Sequence, residues 1–395
     1  MRAALAEVDA SVATAPLAPA GEEVAVSAAP ADRVPSDLEQ AWRELAADAA
    51  EPNSYAEIWF AGPSLRHLAG DVEVTLIAVW LHGSGEPLLI GLMPVCVGTG
   101  YGRMTVRHVQ NWKHFHHFLG TPLVRKGYEQ RFWAAVLSHL DAAGRAPGFL
   151  HVNGLVEDGP VHAGLRAAAE AAGKPSPTVH REVRAALAST LSPAAYYERN
   201  VRKKKRKELQ RLTNRLAELG QVETRRLGEA SELSPWCDAF LALERAGWKG
   251  RAGSALADRP ETEAFFRDAV RGAFEAGKLD FLRIDLDGQP IAMLINFLAP
   301  PGSFSFKIAF DEAYARFSPG VLIQRENLDM LSRPEIAWMD SCAAENHPMI
   351  DSLWGERRAI VRLTVPLKGF RRRLTYAICR GLEHAGALRR RLHHG

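Results

Sequence analysis

The chain has 395 residues and a formal net charge of +3, with 47% apolar and 24% charged residues. That length suggests about two domains, and the balance suits sizeable buried cores. The longest apolar runs, Val74 to Leu81 and Leu88 to Val97, fall well short of a membrane-spanning helix, and Cys96, Cys237, Cys342 and Cys379 lie singly, which argues against a disulfide scaffold or a Cys-based metal site and for a reducing cytoplasm.

Residues 1–35 are rich in Ala, Pro and Val, but Glu7, Asp9, Glu22 and Glu23 interrupt any signal-peptide core, so a flexible leader is expected there. Ser36 then suits the start of a helix through Ala49, with Leu38, Trp42 and Leu45 on one face. Val72 to Leu81 and Leu88 to Val97 read as strands joined by His82-Gly83-Ser84-Gly85, and a third strand is expected at Met104 to Gln110. Beyond the His-rich stretch to Leu119, the pattern predicts a helix over Tyr128 to Ala143 and a strand at Phe149 to Val152. A helix over His162 to Ala172 and a strand near Val183 to Ala188 complete this half.

The second half repeats the order. A basic helix is expected from Tyr196 to Leu219, another from Ser234-Pro235, and a third over Glu261 to Ala276. Leu279 to Leu286 and Pro290 to Leu298 flank Asp287-Gly288, a hairpin signal. A strand at Ser303 to Phe310, a helix at Pro319 to Leu331 and a strand at Ala337 to Ser341 follow. The expected architecture is two mixed α/β domains, 36–190 and 191–366, meeting near Ser189 to Pro193, then a basic tail over 367–395.

The chemistry concentrates in Phe304 to Leu322. An alternating strand breaks at Asp311 to Phe317, and Ser318-Pro319-Gly320 precedes resumed helical spacing. Ser suits the cap, Pro the first helical position, and Gly leaves the amides uncovered; such a helix start attracts phosphate. Arg316 stands beside it as a charge partner. By pattern alone this reads first as a capped helix after a loop, and it is neither a Walker loop nor a dinucleotide fingerprint.

From Tyr196 to Leu363 the sequence resembles the cellulose-biosynthesis CelD-like acyltransferases of the GNAT superfamily. The resemblance is carried by Lys203 to Leu219, Trp248-Lys249-Gly250-Arg251-Ala252-Gly253, Gly288-Gln289-Pro290 and Phe306-Lys307-Ile308-Ala309-Phe310-Asp311. It continues in Tyr314, Ser318-Pro319-Gly320-Val321-Leu322, Asp340-Ser341-Cys342, Leu353-Trp354 and Arg357-Arg358. Weaker similarity over Trp42 to Val124 matches the degenerate first GNAT-like domain of that group and of the related FemABX ligases. The resemblance implies two GNAT-like domains, each a mostly antiparallel mixed sheet flanked by helices. It also implies that acetyl-CoA or another acyl-CoA enters between Ser303 to Phe310 and Ala337 to Ser341. Phe306 and Ile308 then lie along the acyl-CoA, and Arg316, Ser318, Pro319, Gly320, Val321 and Leu322 hold its pyrophosphate. Where the usual GNAT signature carries a second glycine, this chain has only Gly320.

Direct acyl transfer needs a base and oxyanion donors but no nucleophilic Ser or Cys. Asp340, Glu345 and His347 are the candidate catalytic groups. Trp248, Lys249, Arg251, Lys307 and Asp311 are the candidate acceptor contacts, suited to an anionic sugar or nucleotide-sugar. Trp248 packing at a seam, Asp311 bracing its loop and Lys307 lying along the sheet are the structural alternatives.

Arg199 to Arg215 holds nine Lys or Arg residues, with Leu209, Leu212, Leu216 and Leu219 on the opposite helical face. A solvated face, RNA or an anionic lipid would all suit it. The tail from Arg371 to His394 spaces Leu374, Ile378, Leu382 and Leu388 as an amphipathic helix able to touch a membrane. His108, His114, His116 and His117 lack a supporting carboxylate, so no metal is expected. Three functions emerge: an acyl-CoA-dependent N- or O-acyltransferase acting on polysaccharide or cell-envelope precursors, an aminoacyl-tRNA-dependent ligase of the FemABX type, and a non-catalytic module for anionic partners.

Overall fold

The structure is a computed structural model, and it describes residues 22–393 except 32, 33, 35, 103 and 144–146. The first half runs β1 (Glu23–Pro30), α1 (Ser36–Ala47), a 3-10 turn (Ser54–Ala56), α2 (Ile58–Leu68), β2 (Thr75–His82), β3 (Leu88–Tyr101) and β4 (Met104–Asn111). It continues with β5 (Leu123–Val124), α3 (Glu129–Ala142), β6 (Phe149–Val156), α4 (Pro160–Ala171) and β7 (Thr178–Leu187). The second half runs α5 (Pro193–Asn200), α6 (Lys203–Ala217), β8 (Val222–Arg226), α7 (Ala230–Ala246), α8 (Trp248–Arg251), α9 (Pro260–Glu275), β9 (Leu279–Leu286), β10 (Gln289–Ala299) and β11 (Gly302–Phe310). After a 3-10 turn (Glu312–Phe317) come α10 (Pro319–Glu326), a second 3-10 turn (Asn327–Ser332), β12 (Trp338–Asp340), α11 (Pro348–Asp351), β13 (Glu356–Pro366) and α12 (Phe370–His393).

All thirteen strands join one sheet in the order β1-β2-β3-β4-β6-β13-β7-β12-β11-β10-β9-β8, with β5 on β3. Among the described strands, only β4 with β6 and β11 with β12 run parallel, so the fold is mixed α/β. The two halves exchange strands at the centre. β13, last in the chain, pairs with β6, while β7 of the first half pairs with β12. Each half therefore completes its sheet with backbone from the other.

Helices cover both faces. α3 and α4 bury Phe132, Trp133, Val136 and Leu165 against β2, β3, β6 and β13. α7 and α9 bury Trp236, Phe240, Phe265 and Phe266 over β9 to β11, together with Tyr55 and Phe60 of the first half. α6 and α10 pack Leu209, Leu212, Leu322 and Ile323 on the opposite face. α2 lies directly on α9, where a Cβ on Gly272 would stand 3.0 Å from the Cβ of Trp59.

The sequence expectations differ at several joints. Within the stretch expected as leader, Glu23–Pro30 forms a strand that pairs with β2 from Glu23↔His82 to Pro30↔Thr75. Its Val24 and Val26 gain the first core, which a strand edge offers and an isolated segment does not. The helix expected over Tyr196 to Leu219 breaks at Val201, whose buried side chain turns inward. Pro235 lies inside α7 rather than at its start. Asp287 and Gly288 both take positive φ, 48° and 77°, as a tight hairpin turn requires.

Candidate functional site

The two parallel strand pairs hold equivalent places in the two halves, and they end differently. β4 and β6 pair at Val109↔Leu150 and Gln110↔His151. Beyond them the Asn111 amide continues the ladder: Nδ2 donates to the Asn153 carbonyl at 2.9 Å and the Gly120 carbonyl at 2.8 Å. Its Oδ1 accepts from the Asn153 amide at 2.7 Å. The Gly120 amide reaches the Gly154 carbonyl at 2.9 Å. A Cβ on Gly120 would stand 1.9 Å from the Asn153 carbonyl, so the first opening is shut by backbone at van der Waals distance.

In the second half β11 and β12 pair from Gly302↔Trp338 to Phe304↔Asp340 and then separate. β11 stays with β10 as far as Phe310. The other chain follows β7, the Ser341 amide bonding the Ala185 carbonyl at 3.2 Å. Among the described residues, the divergence leaves the β12-facing edge of Ser305 to Phe310 without a strand partner. Lys249 of α8 enters this region: its Nζ donates to the Ile308 carbonyl at 3.1 Å and pairs with buried Glu244 at 2.7 Å.

α10 begins beside the same edge. Pro319 occupies its first turn, but Ser318 is left-handed (φ 55°) and makes no capping bond. The expected side-chain cap is thus replaced by a backbone turn, with the Val321 and Leu322 amides returning to the Ser318 carbonyl at 2.9 and 3.0 Å. The 3-10 turn before it sets that conformation, with Asp311 as its cap (Oδ1 to the Ala313 amide, 2.9 Å). Gly320 is buried, and a Cβ there would meet Phe310 Cδ1 at 3.2 Å and Met349 Sδ at 3.3 Å. Arg316 is exposed, its guanidinium over the Phe317 ring at 4.8 Å.

Ile308 and Phe310 pack toward α10, whereas Phe306 packs on the opposite face against Phe297 at 4.7 Å. The geometry therefore divides the expected cofactor contacts between the two sides of the sheet. On the Phe306 side lies Lys307, only 9% exposed. Its Nζ is 5.7, 5.9 and 5.8 Å from the rings of Phe115, Phe118 and Phe306. Among the described residues it has no hydrogen-bond or ion-pair partner. Burial, and then the neighbouring Lys249 charge, lower its pKa to about 8. Phe115, at 77% exposed, stands at the outer end of this aromatic surround. Trp248 is exposed; its amide and the Arg251 guanidinium both bind Glu312, at 2.7 and 2.6 Å, tying α8 to the turn before α10.

Asp340 is fully buried and already engaged. Arg184 Nη2 donates to Oδ2 at 2.9 Å, Nε lies 2.8 Å from Oδ1, and Arg358 Nη1 lies 3.7 Å from Oδ2. The Cys342 amide also donates to Oδ1 at 2.9 Å. Burial works against the Arg184 charge, but Asp340 prevails and raises its pKa. A carboxylate whose two oxygens are taken up by two guanidinium groups and an amide anchors the strand end. Glu345 is exposed, and half-buried His347 precedes α11. The Cys342 thiol is pushed up to about 12, first by burial and then by Asp340, and it shares a 3.1 Å contact with the Tyr55 hydroxyl. It is neutral and a poor nucleophile.

Several contributors escape sequence inspection: Glu244 beneath Lys249, Arg184 opposite Asp340, and Tyr55, Phe115 and Phe118 from the first half. Their positions depend on the docking of distant segments, and only the aromatic and His-rich stretch before Leu119 hinted at them. Within that stretch, burial lowers His114 to about 3 and His116 to about 2. Both pack on Phe265. Among the described residues no group of three or more His, Cys, Asp or Glu is placed to hold a metal ion.

Residues 203–348 match the family model described as an acetyltransferase (GNAT) domain, so this part of the chain is of GNAT acetyltransferase type. No curated protein matches the sequence. Among solved structures, FemX is similar with a TM-score of 0.54 at 11% identity, over 82% of this chain and 95% of its own. A conserved protein of unknown function from Bacteroides thetaiotaomicron has a TM-score of 0.51 at 11% identity, over 84% and 97%. At such identity the likeness extends to the fold alone.

Proposed function

We propose that the protein is an acyl-CoA-dependent N- or O-acyltransferase that transfers directly between two bound substrates. The observation that carries this reading is the contrast between the two halves: Asn111 seals one strand opening, while the other leaves Ser305 to Phe310 without a strand partner beside the start of α10, the Ile308 carbonyl held by the Lys249 ammonium. An extended amide chain such as pantetheine can use a free strand edge as another strand would. A phosphate can meet Arg316 and the Gly320 amide.

The acceptor enters from the opposite face, past Phe115 and Trp248. Lys307, partly neutral near pH 8, takes the proton that the acceptor nitrogen or oxygen loses as it attacks the thioester carbonyl. When the carbon–sulfur bond breaks, the same ammonium returns a proton to the departing thiolate. Asp340 and Arg184 hold the strand end and the Cys342 turn in place. Lys249, Arg251 and Lys307 on the acceptor side favour an anionic acceptor, which agrees with a polysaccharide or cell-envelope precursor and with the CelD-like resemblance. A cytoplasmic location, where acyl-CoA is available, follows from the same reading.

Calorimetry with acetyl-CoA and longer acyl-CoAs tests it, with tRNA as the competing ligand. Saturable acyl-CoA binding that weakens in Gly320→Val supports the assignment. Tight, salt-sensitive tRNA binding without acyl-CoA binding favours the aminoacyl-tRNA ligase, through the exposed Lys203, Lys204, Lys207 and Arg211 of α6. Binding of neither favours the non-catalytic module.

A further inference from the structure

α12 carries its polarity reversed. The side turned to the protein holds Arg372, whose guanidinium donates to the Leu140 carbonyl at 3.3 Å, to the Lys368 carbonyl at 3.2 Å and to the Ala143 carbonyl. Tyr376 and Cys379 pack beside it on Tyr101 and Phe149. Tyr101 donates to Glu383, the single acid between Lys368 and the chain end. The side turned to solvent holds Phe370, Leu374, Ile378 and Leu382, exposed by 83, 51, 54 and 53%. Spaced four apart, these form one stripe along the helix. Exposed Lys368, Arg371 and Arg373 lie at its start. The sequence beyond reads Leu388-Arg389-Arg390-Arg391-Leu392.

Folding does not require this stripe, since the buried side already fixes the helix. A row of four large apolar side chains held outward, bordered by cations, has the composition of a helix that lies in a membrane interface. No helix among the described residues is long and apolar enough to cross a bilayer. We propose that α12 is a docking surface for an anionic lipid bilayer, its apolar stripe entering the acyl boundary while Lys368, Arg371 and Arg373 meet the headgroups. Charge complementarity selects this occupant. A second copy of the helix would oppose these cations with the same charges, whereas anionic lipid neutralises them.

Flotation of the full chain with vesicles tests the proposal, using 70:30 phosphatidylcholine:phosphatidylglycerol against pure phosphatidylcholine. The expected result is binding to the anionic vesicles at least tenfold stronger than to the neutral ones. Leu374→Glu/Ile378→Glu should reduce it at least tenfold, and Arg371→Glu/Arg373→Glu should remove the preference for the anionic lipid. Both pairs are exposed, and unchanged circular dichroism confirms that they fold. Equal flotation of wild type and variants, or no flotation of the wild type, overturns the proposal. So does light scattering that shows a dimer dissociated by Leu374→Glu/Ile378→Glu, which assigns the stripe to a second copy.

Discussion

Arg184 and Asp340, 156 positions apart in the chain, meet in a buried double contact of 2.8 and 2.9 Å between β7 and β12. The pair sits where the halves exchange strands, next to the point at which β11 and β12 part. Breaking a buried pair leaves the remaining charge without compensation, at a cost of about 3–5 kcal/mol. Asp340→Asn should therefore lower the unfolding free energy by about 3 kcal/mol, measured by urea denaturation. An unchanged midpoint would remove the pair from any structural role.

Lys307 links stability to pH in an unusual direction. Its folded pKa, about 8, lies below the ordinary lysine value, so the unfolded chain binds more protons between about pH 8 and 10.5 and stability rises with pH across that window. Lys113, also lowered to about 8 by burial and then by Arg184, adds to the same slope. Lys307→Met should raise stability at pH 7 by about 1–3 kcal/mol and flatten the rise toward pH 10. Urea midpoints at the two pH values decide it; parallel profiles for wild type and variant would refute the buried cation.

The same group shapes the rate. If neutral Lys307 accepts the acceptor's proton, kcat/KM climbs with an apparent pKa near 8. Lys307→Arg keeps the charge but not the base, and should lose about 10²–10⁴-fold in rate. Retention of the wild-type profile in Lys307→Arg would reassign the lysine to binding alone.

At the start of α10, Gly320→Val forces two methyl groups toward Phe310 and Met349, which already lie within 3.3 Å of a Cβ at this position. Overpacking of this kind costs about 1–3 kcal/mol. Unfolding should stay cooperative while acetyl-CoA affinity, followed by calorimetry, falls at least tenfold. Unaltered affinity would move the phosphate site elsewhere.

Asn111→Leu provides the converse test. It strips the Asn153 amide and the Gly120 and Asn153 carbonyls of a partner. Each buried group left unmet costs about 1–3 kcal/mol, so thermal unfolding should move to clearly lower temperature. Acyl-CoA affinity should not change if, as proposed, the donor binds at the open half alone. A change in affinity comparable to that from Gly320→Val would place a donor site in the first half.

Local pattern determined a great deal. The Asp287-Gly288 hairpin, the strand over Phe304 to Phe310 and the helix after Pro319 follow from turn chemistry and periodicity, which act over a few residues. Leu374, Ile378 and Leu382 of the α12 stripe were legible too, whereas Phe370 was not read and the Leu388 side chain lies outside the described residues. Which way that stripe points was not legible, because Arg372 and Tyr376 turn inward only once β6 and the carbonyls after α3 are in place.

The site depended on distant partners. Ser318 has the identity of a cap, yet its left-handed backbone is set by the turn that Asp311 begins. Asp340 has the identity of a base, yet Arg184, delivered by strand exchange, occupies it. Lys307 is one lysine in a strand until the loop of Phe115 and Phe118 packs over it and removes water. Pairing across a sheet and the loss of solvent are tertiary events, and they alone decide which of two similar strand openings is sealed and which lysines are kept partly neutral.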